Sequence, residues 1–184
     1  MNKWVVNDYR NVPTHIDVGL VIADPIYSTQ MVNDVWERFA GEGLPTVCFM
    51  YPEDLVTLAA PFPDQICHWV KPVSTKNTIK RYSRFVEVVA VHNVKMTDVL
   101  HWSCRTGVFT DALLTNDEHP FKKPESLIER LIRNHYTGGI VLDPCAGSGT
   151  VHHVCVRLGI PSISIEIDPR FKILKPLTKR ASKR

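Results

Sequence analysis

One stretch constrains this chain more than any other: Ile140-Val141-Leu142-Asp143-Pro144-Cys145-Ala146-Gly147-Ser148-Gly149-Thr150. Three apolar residues run into an acid, a glycine-spaced turn follows, and an apolar-periodic segment comes next. That order predicts a buried parallel strand, a tight turn and a helix. Gly147 and Gly149 allow the backbone to pass close to a ligand where a side chain would collide. They would equally serve a strand–helix turn with no ligand, and Glu166 is what tips the balance. It ends the next apolar run, Ser162-Ile163-Ser164-Ile165, and an acid about 20 residues past a glycine turn is placed to hydrogen-bond ribose hydroxyls. The half-site is suited to an adenosine-containing cofactor.

Position in the chain narrows the choice. A nicotinamide-binding domain starts with its glycine turn and builds its sheet from the strands that follow. Here one further strand near 162–167 and a short tail follow, so most of the sheet has to come from residues before 140. The third glycine of a dinucleotide fingerprint is also missing, because His152 stands in its place. The pattern fits a permuted, doubly wound α/β domain with a mostly parallel sheet better than it fits a dehydrogenase.

A second signal supplies the earlier half. Val18-Gly19-Leu20-Val21-Ile22-Ala23 reads as a buried strand ending in Asp24-Pro25-Ile26-Tyr27. Open α/β sheets bind ligands beyond the carboxyl ends of their strands, at the switch in strand order. With both strands central and parallel, Asp24 and Tyr27 share a crevice with Gly147 and Glu166. A carboxylate beside a backbone carbonyl accepts both hydrogens of an amino group, and a tyrosine ring stacks on a base. The alternative for Asp24 is a simple helix cap, the role expected of Asp168 before Pro169.

Between these signals the periodicity predicts strands near 4–6, 46–50, 66–70 and 85–91. Helices are expected at 29–40, 53–60, behind Pro124, and from Thr150 to Leu158. Pro124 itself suits a first helical turn. Residues 93–118 show no strong period.

In order along the chain, these segments resemble the β-class amino-group DNA methyltransferases, which transfer methyl from S-adenosylmethionine. Val5-Val6-Asn7-Asp8 resembles the family's opening strand and adenine-contacting acid, and Asp24-Pro25-Ile26-Tyr27 its Asp-Pro-Pro-Tyr catalytic motif. His68-Trp69-Val70-Lys71-Pro72 and Arg84-Phe85-Val86-Glu87-Val88 resemble its late strands. His119-Pro120-Phe121-Lys122-Lys123-Pro124 resembles the segment preceding the cofactor turn, and Asp143 to Thr150 with Ile165-Glu166-Ile167-Asp168 completes the cofactor side.

The resemblance implies catalytic roles for Asp24, Pro25 and Tyr27. It implies S-adenosylmethionine contacts from Asp8, Lys123, Asp143, Cys145, Ala146, Gly147, Ser148, Gly149, Thr150 and Glu166. It also implies a DNA partner with its target base flipped into the cleft. Adenine N6 is favoured over cytosine N4, because the family tends to use Asp rather than Ser at the first catalytic position. Two departures stand out. Ile26 replaces a proline that would rigidify the loop. The recognition insertion is reduced to about 93–118, too short for a packed domain, so recognition is short, relaxed or supplied by a partner subunit or a second copy.

The resulting division is one domain over 1–184. It has a catalytic half at about 1–92, a recognition segment at 93–118, a cofactor half at 119–170 and a basic tail at 171–184. Lys123 either anchors the cofactor side or extends into water. Cys145 lies in the cofactor turn rather than the catalytic loop, which argues against a nucleophile. His152, His153 and Cys155 lack the spacing of a structural zinc site, so no metal is expected. The net charge of +3 is modest, yet Lys71, Lys76, Lys80, Arg81 and Arg84 cluster as candidate phosphate contacts. Five cysteines without a Cys-x-x-Cys pair suggest a reducing, cytoplasmic setting, and no apolar run suits a membrane span. Two other readings remain open: a methyltransferase-like binding subunit that does not turn over, and an enzyme acting on RNA or a protein amide.

Overall fold

The computed structural model describes residues 1–13, 16–25, 28–71, 85–97, 106–112 and 122–171. Their strands are β1 (Asn2–Val6), β2 (Val18–Ala23), β3 (Thr46–Met50), β4 (Gln65–Val70), β5 (Val86–His92), β6 (Val108–Phe109), β7 (Ile140–Asp143) and β8 (Ser162–Glu166). The helices are α1 (Thr29–Phe39), α2 (Glu125–His135) and α3 (Thr150–Leu158). The strands form one sheet in the order β1-β8-β7-β2-β3-β5-β4-β6. β5 runs antiparallel to both its neighbours, and every other pairing is parallel.

The period-2 alternation of a strand splits the core between the two faces. Leu20, Ile22, Val47, Phe49, Val89 and Val91 pack with Leu127, Ile128, Leu131 and Ile132 of α2 and with Val151, Val154 and Cys155 of α3. The intervening Val21, Ala23, Cys48, Met50, Val88 and Ala90 pack with Val32, Val35, Trp36 and Phe39 of α1. Both faces are covered, so the central strands read as continuous apolar runs. Each fully buried Leu, Ile or Phe contributes about 1.5–3 kcal/mol of transfer free energy.

Local chemistry sets the helix ends. Ser28 caps α1 by accepting the Met31 N–H (3.2 Å), and Trp36 anchors it by donating Nε1–H to the Pro61 carbonyl (2.8 Å). α3 lies between Gly149 and Gly159, both left-handed (φ 76° and 70°), a conformation that penalises any Cβ.

Several elements differ from the periodicity. The expected helix over 53–60 is a 3-10 turn, Pro52–Thr57, and Pro124 is the cap preceding α2 rather than part of its first turn. The aperiodic 93–118 region contributes the two-residue β6, which pairs with β4. Asp168 does act as a local cap, accepting the Arg170 N–H (2.9 Å), but residues 168–171 form a turn. No helix among the described residues is long and apolar enough to cross a membrane.

Topology positions the site. From β7 the chain passes through α3 outward to β8; from β2 it passes through α1 to β3 on the other side. The switch in strand order therefore falls between β7 and β2, which are paired in parallel. Ligands bind outside the carboxyl ends of strands at such a switch.

Candidate active site at the strand switch

Asp143 is the last residue of β7, and Asp24 directly follows β2. The glycine turn is tightly organised beside them. Asp143 Oδ1 accepts the Cys145 N–H (3.2 Å), Ala146 donates its N–H to the Ile165 carbonyl (2.9 Å), and Gly149 donates to the Ala146 carbonyl (2.7 Å). Ser148 and Thr150 share a hydrogen bond between their hydroxyls (3.0 Å). Gly147 and Gly149 both take positive φ, 48° and 76°. An added Cβ on Gly149 would meet the Trp4 ring at 3.2 Å, so this glycine also permits a close approach.

Glu166, at the end of β8, is a structural partner of the turn. Its Oε2 accepts the Gly147 N–H (2.7 Å) and its Oε1 accepts the Asp168 N–H (2.9 Å). A carboxylate offers about four acceptor positions, so two backbone bonds orient it while leaving capacity for a ligand hydroxyl. Asp8 lies just beyond β1, whose end is tied to Glu166 by an Asn7 N–H to Glu166 carbonyl bond (3.0 Å). Its carboxylate caps a 3-10 turn by accepting the Arg10 N–H (2.9 Å), a bond that holds its pKa below the ordinary value.

Burial pushes the Asp143 carboxyl well above the usual carboxylate range. The Cys145 N–H pulls it down, and the nearby Asp24 and Glu166 add to the rise. Three carboxylates thus lie near the strand switch, and the Lys123 ammonium offsets the charge of one of them, Asp24. The Cys145 thiol is likewise pushed well up by burial and by Asp143, which keeps it a neutral thiol rather than a nucleophilic thiolate.

Lys123 does not extend into water. The side chain is 5% exposed, and its Nζ lies 2.6 Å from Asp24 Oδ1 and 3.4 Å from Glu87 Oε2. It also sits over the Phe49 and Trp69 rings, 5.0 and 5.7 Å from their centroids, an arrangement in which the ring faces attract the cation. Burial alone would lower its pKa; attraction to Asp24 and Glu87, with hydrogen bonds to both, raises it above the ordinary lysine value.

Lys71 requires a correction. It was a candidate phosphate contact, but it is 4% exposed and forms an ion pair with Glu87. Burial and a carboxylate partner remove it from the exposed phosphate-contacting surface. Lys76, Lys80, Arg81 and Arg84 lie outside the described residues, as do Ile26 and Tyr27. Pro25 is buried directly after Asp24.

Glu87 is the site residue that sequence reasoning missed. Its signal was an acid inside the apolar run Val86-Glu87-Val88-Val89-Ala90-Val91, since a glutamate is almost never fully buried without a partner. His152 and His153 are both buried on α3, His152 with its ring edge-on to Trp4 at 6.1 Å.

Comparison with known proteins agrees with this architecture. The N6_N4_Mtase family model, described as DNA methylase, matches residues 31–174; the match includes the glycine turn and Lys123 and begins after Asp24. Type II methyltransferase M.HpaI of Haemophilus parainfluenzae is 46% identical over 54 residues, which are 29% of this chain and 17% of that protein. The chain thus matches less than a fifth of that relative's length. Among solved structures, the M1.HpyAVI–SAM complex has a TM-score of 0.73 at 21% identity, covering 93% of this chain and 96% of that one. PvuII DNA methyltransferase (cytosine-N4-specific) also has a TM-score of 0.73, at 15% identity over 92% of this chain and 83% of its own. These likenesses establish the fold, and the family model, spanning well over half of the 184 residues, establishes more: the chain belongs to the N6/N4 DNA methylase family.

Proposed function

We propose that this protein transfers a methyl group from S-adenosylmethionine to the exocyclic amine of a DNA base, adenine N6 in preference to cytosine N4. The observation that carries the reading is the placement of Asp24, at the end of β2, across the strand switch from the Asp143–Thr150 turn at the end of β7. In this reading a hydrogen-bond acceptor for the target amine and a cofactor cradle share one crevice.

The residues present fit the cofactor. Its sulfonium and ammonium are cationic, and Asp143, buried with its carboxyl destabilised in the ionised form by Asp24 and Glu166, gains from a cation alongside. Glu166, oriented by the Gly147 and Asp168 amides, is the proposed acceptor for the ribose hydroxyls, and Asp8, just beyond β1, the proposed adenine contact. When bound, S-adenosylmethionine supplies an electrophilic methyl group. M1.HpyAVI, which shares the fold, was solved in complex with SAM.

A base amine is a weak nucleophile because its lone pair is delocalised into the ring. Asp24 and the Pro25 carbonyl accept its hydrogens, favour a tetrahedral nitrogen and aim the lone pair along the transfer direction. Tyr27 stacks on the base, which has to leave the duplex to reach the cleft. The preference for adenine rests on Asp rather than Ser at position 24.

The test is nucleoside mass spectrometry of unmethylated plasmid DNA after incubation with the protein and S-adenosylmethionine. N6-methyladenine that disappears with Asp24→Ala is the expected result. N4-methylcytosine would keep the chemistry and overturn the choice of base, and the absence of any methylated base would overturn the assignment to DNA.

A further inference from the structure

Asp24 does not stand alone at the strand switch. Charges of alternating sign run inward from it: Asp24 to Lys123 (2.6 Å), Lys123 to Glu87 (3.4 Å), and Glu87 to Lys71. The side chains of Lys123, Glu87 and Lys71 are each at most 5% exposed, whereas that of Asp24 is 28% exposed. The row of charges therefore has one partly exposed end, Asp24, and its other members buried.

Such an arrangement is expensive. Removing charges from water costs several kcal/mol per ion, and a buried pair is often no more stable than apolar residues of the same volume. Stability is thus a poor reason for this row. Its geometry offers a better one. Glu87 and Lys71 come from β5 and the end of β4, paired antiparallel in the sheet, and the base of the pair is closed by the Lys71 N–H to Phe85 carbonyl bond (2.7 Å). Phe49 and Trp69 flank the Lys123 ammonium. Lys123 is thereby held by rigid strands on one side and holds the Asp24 carboxylate on the other.

We infer that Lys123, clamped by Glu87, is a positioning residue for Asp24: it sets the orientation and the charge of the carboxylate, and it does not anchor the cofactor. This rests on the methyl-transfer reading above. An ammonium on Oδ1 fixes the plane of the carboxylate and occupies acceptor capacity on that oxygen, so that Asp24 meets the amine in one geometry. The same ammonium offsets the repulsion between Asp24 and Asp143, two acids that would otherwise compete for one cation.

The experiment compares wild type, Lys123→Met, Lys123→Arg and Glu87→Gln. It reads kcat and KM on plasmid DNA at saturating S-adenosylmethionine, and cofactor Kd by titration calorimetry. For Lys123→Met a fall in kcat of about 100-fold is expected, the scale on which one preorganised electrostatic contact acts, with cofactor Kd within about twofold. Glu87→Gln preserves shape, and is expected to lower kcat about tenfold with the same Kd. Lys123→Arg, which keeps the charge, is expected to retain more activity than Lys123→Met.

A tenfold or greater rise in cofactor Kd with kcat preserved at saturation would overturn the inference and make Lys123 a cofactor anchor. Unchanged kcat in Glu87→Gln would overturn it as well, even if Lys123→Met failed to fold. Inactive wild type would instead remove the methyl-transfer reading, and the positioning role with it.

Discussion

Two glycines at opposite ends of the same strand pair allow the location of the site to be tested by wedging. Gly149 sits in the glycine turn after β7 at φ 76°, where a Cβ would meet the Trp4 ring at 3.2 Å. Alanine there pays roughly 1–2 kcal/mol for the left-handed backbone, and Trp4 must give by a few tenths of an ångström. Gly19 lies in β2 at the register irregularity between Val18 and Leu20, where a Cβ would fall 1.6 Å from the Gly138 carbonyl oxygen. Neither backbone is free to yield, so the cost reaches or exceeds the upper end of overpacking, about 3 kcal/mol. For a domain of this size each kcal/mol lowers Tm by about 2–4 °C. Thermal melts should thus fall by about 2–8 °C for Gly149→Ala and by about 6–12 °C or more for Gly19→Ala.

Affinity for S-adenosylmethionine should show the reverse order. Gly19 is five strand residues from Asp24, about 16 Å along β2, and calorimetry below its Tm should give a Kd within about twofold of wild type. Gly149→Ala displaces the turn itself and should weaken binding about tenfold. Equal loss of affinity in both variants, or a stronger loss in Gly19→Ala, would refute the placement of the cofactor at the carboxyl ends of the strands.

Other substitutions have equally defined outcomes. Asp143→Asn should raise Tm at neutral pH in protein without added cofactor while weakening cofactor binding. Because the folded-state pKa of Asp143 is raised, its stabilising contribution is complete below the ordinary value of 3.8 and is lost as pH rises through the folded value. The Tm advantage of the variant should accordingly vanish in melts taken below that pH. Glu166→Ala removes the acceptor for the Gly147 and Asp168 amides and should cost about 1–3 kcal/mol in denaturant melts, with a parallel loss of cofactor affinity. Trp36→Phe strands the Pro61 carbonyl beneath α1 and should cost about 1–3 kcal/mol with kcat intact; a fall in kcat would show that α1 does more than pack against the sheet.

The sequence by itself determined the elements whose cues are local. β2, β3 and α3 begin and end where apolar runs, proline and glycine place them, because helix and strand periods and left-handed glycines act over a few residues. It also determined the strand that runs into Asp24 and the strand–turn–helix that follows β7, since an acid after a buried strand and a glycine turn before a helix carry their meaning in order and spacing. Tertiary structure alone decided what those cues could not reach. β6 is two residues long, too short to show a period, and exists because β4 offers it an edge. β5 lies antiparallel between β3 and β4, a sheet order that no single strand encodes. Most of all, the separation of 99 positions from Asp24 to Lys123 is closed only by the packed sheet. Periodicity told that Lys123 precedes a helix; only burial, which leaves an ammonium no water, decided that its partner is Asp24.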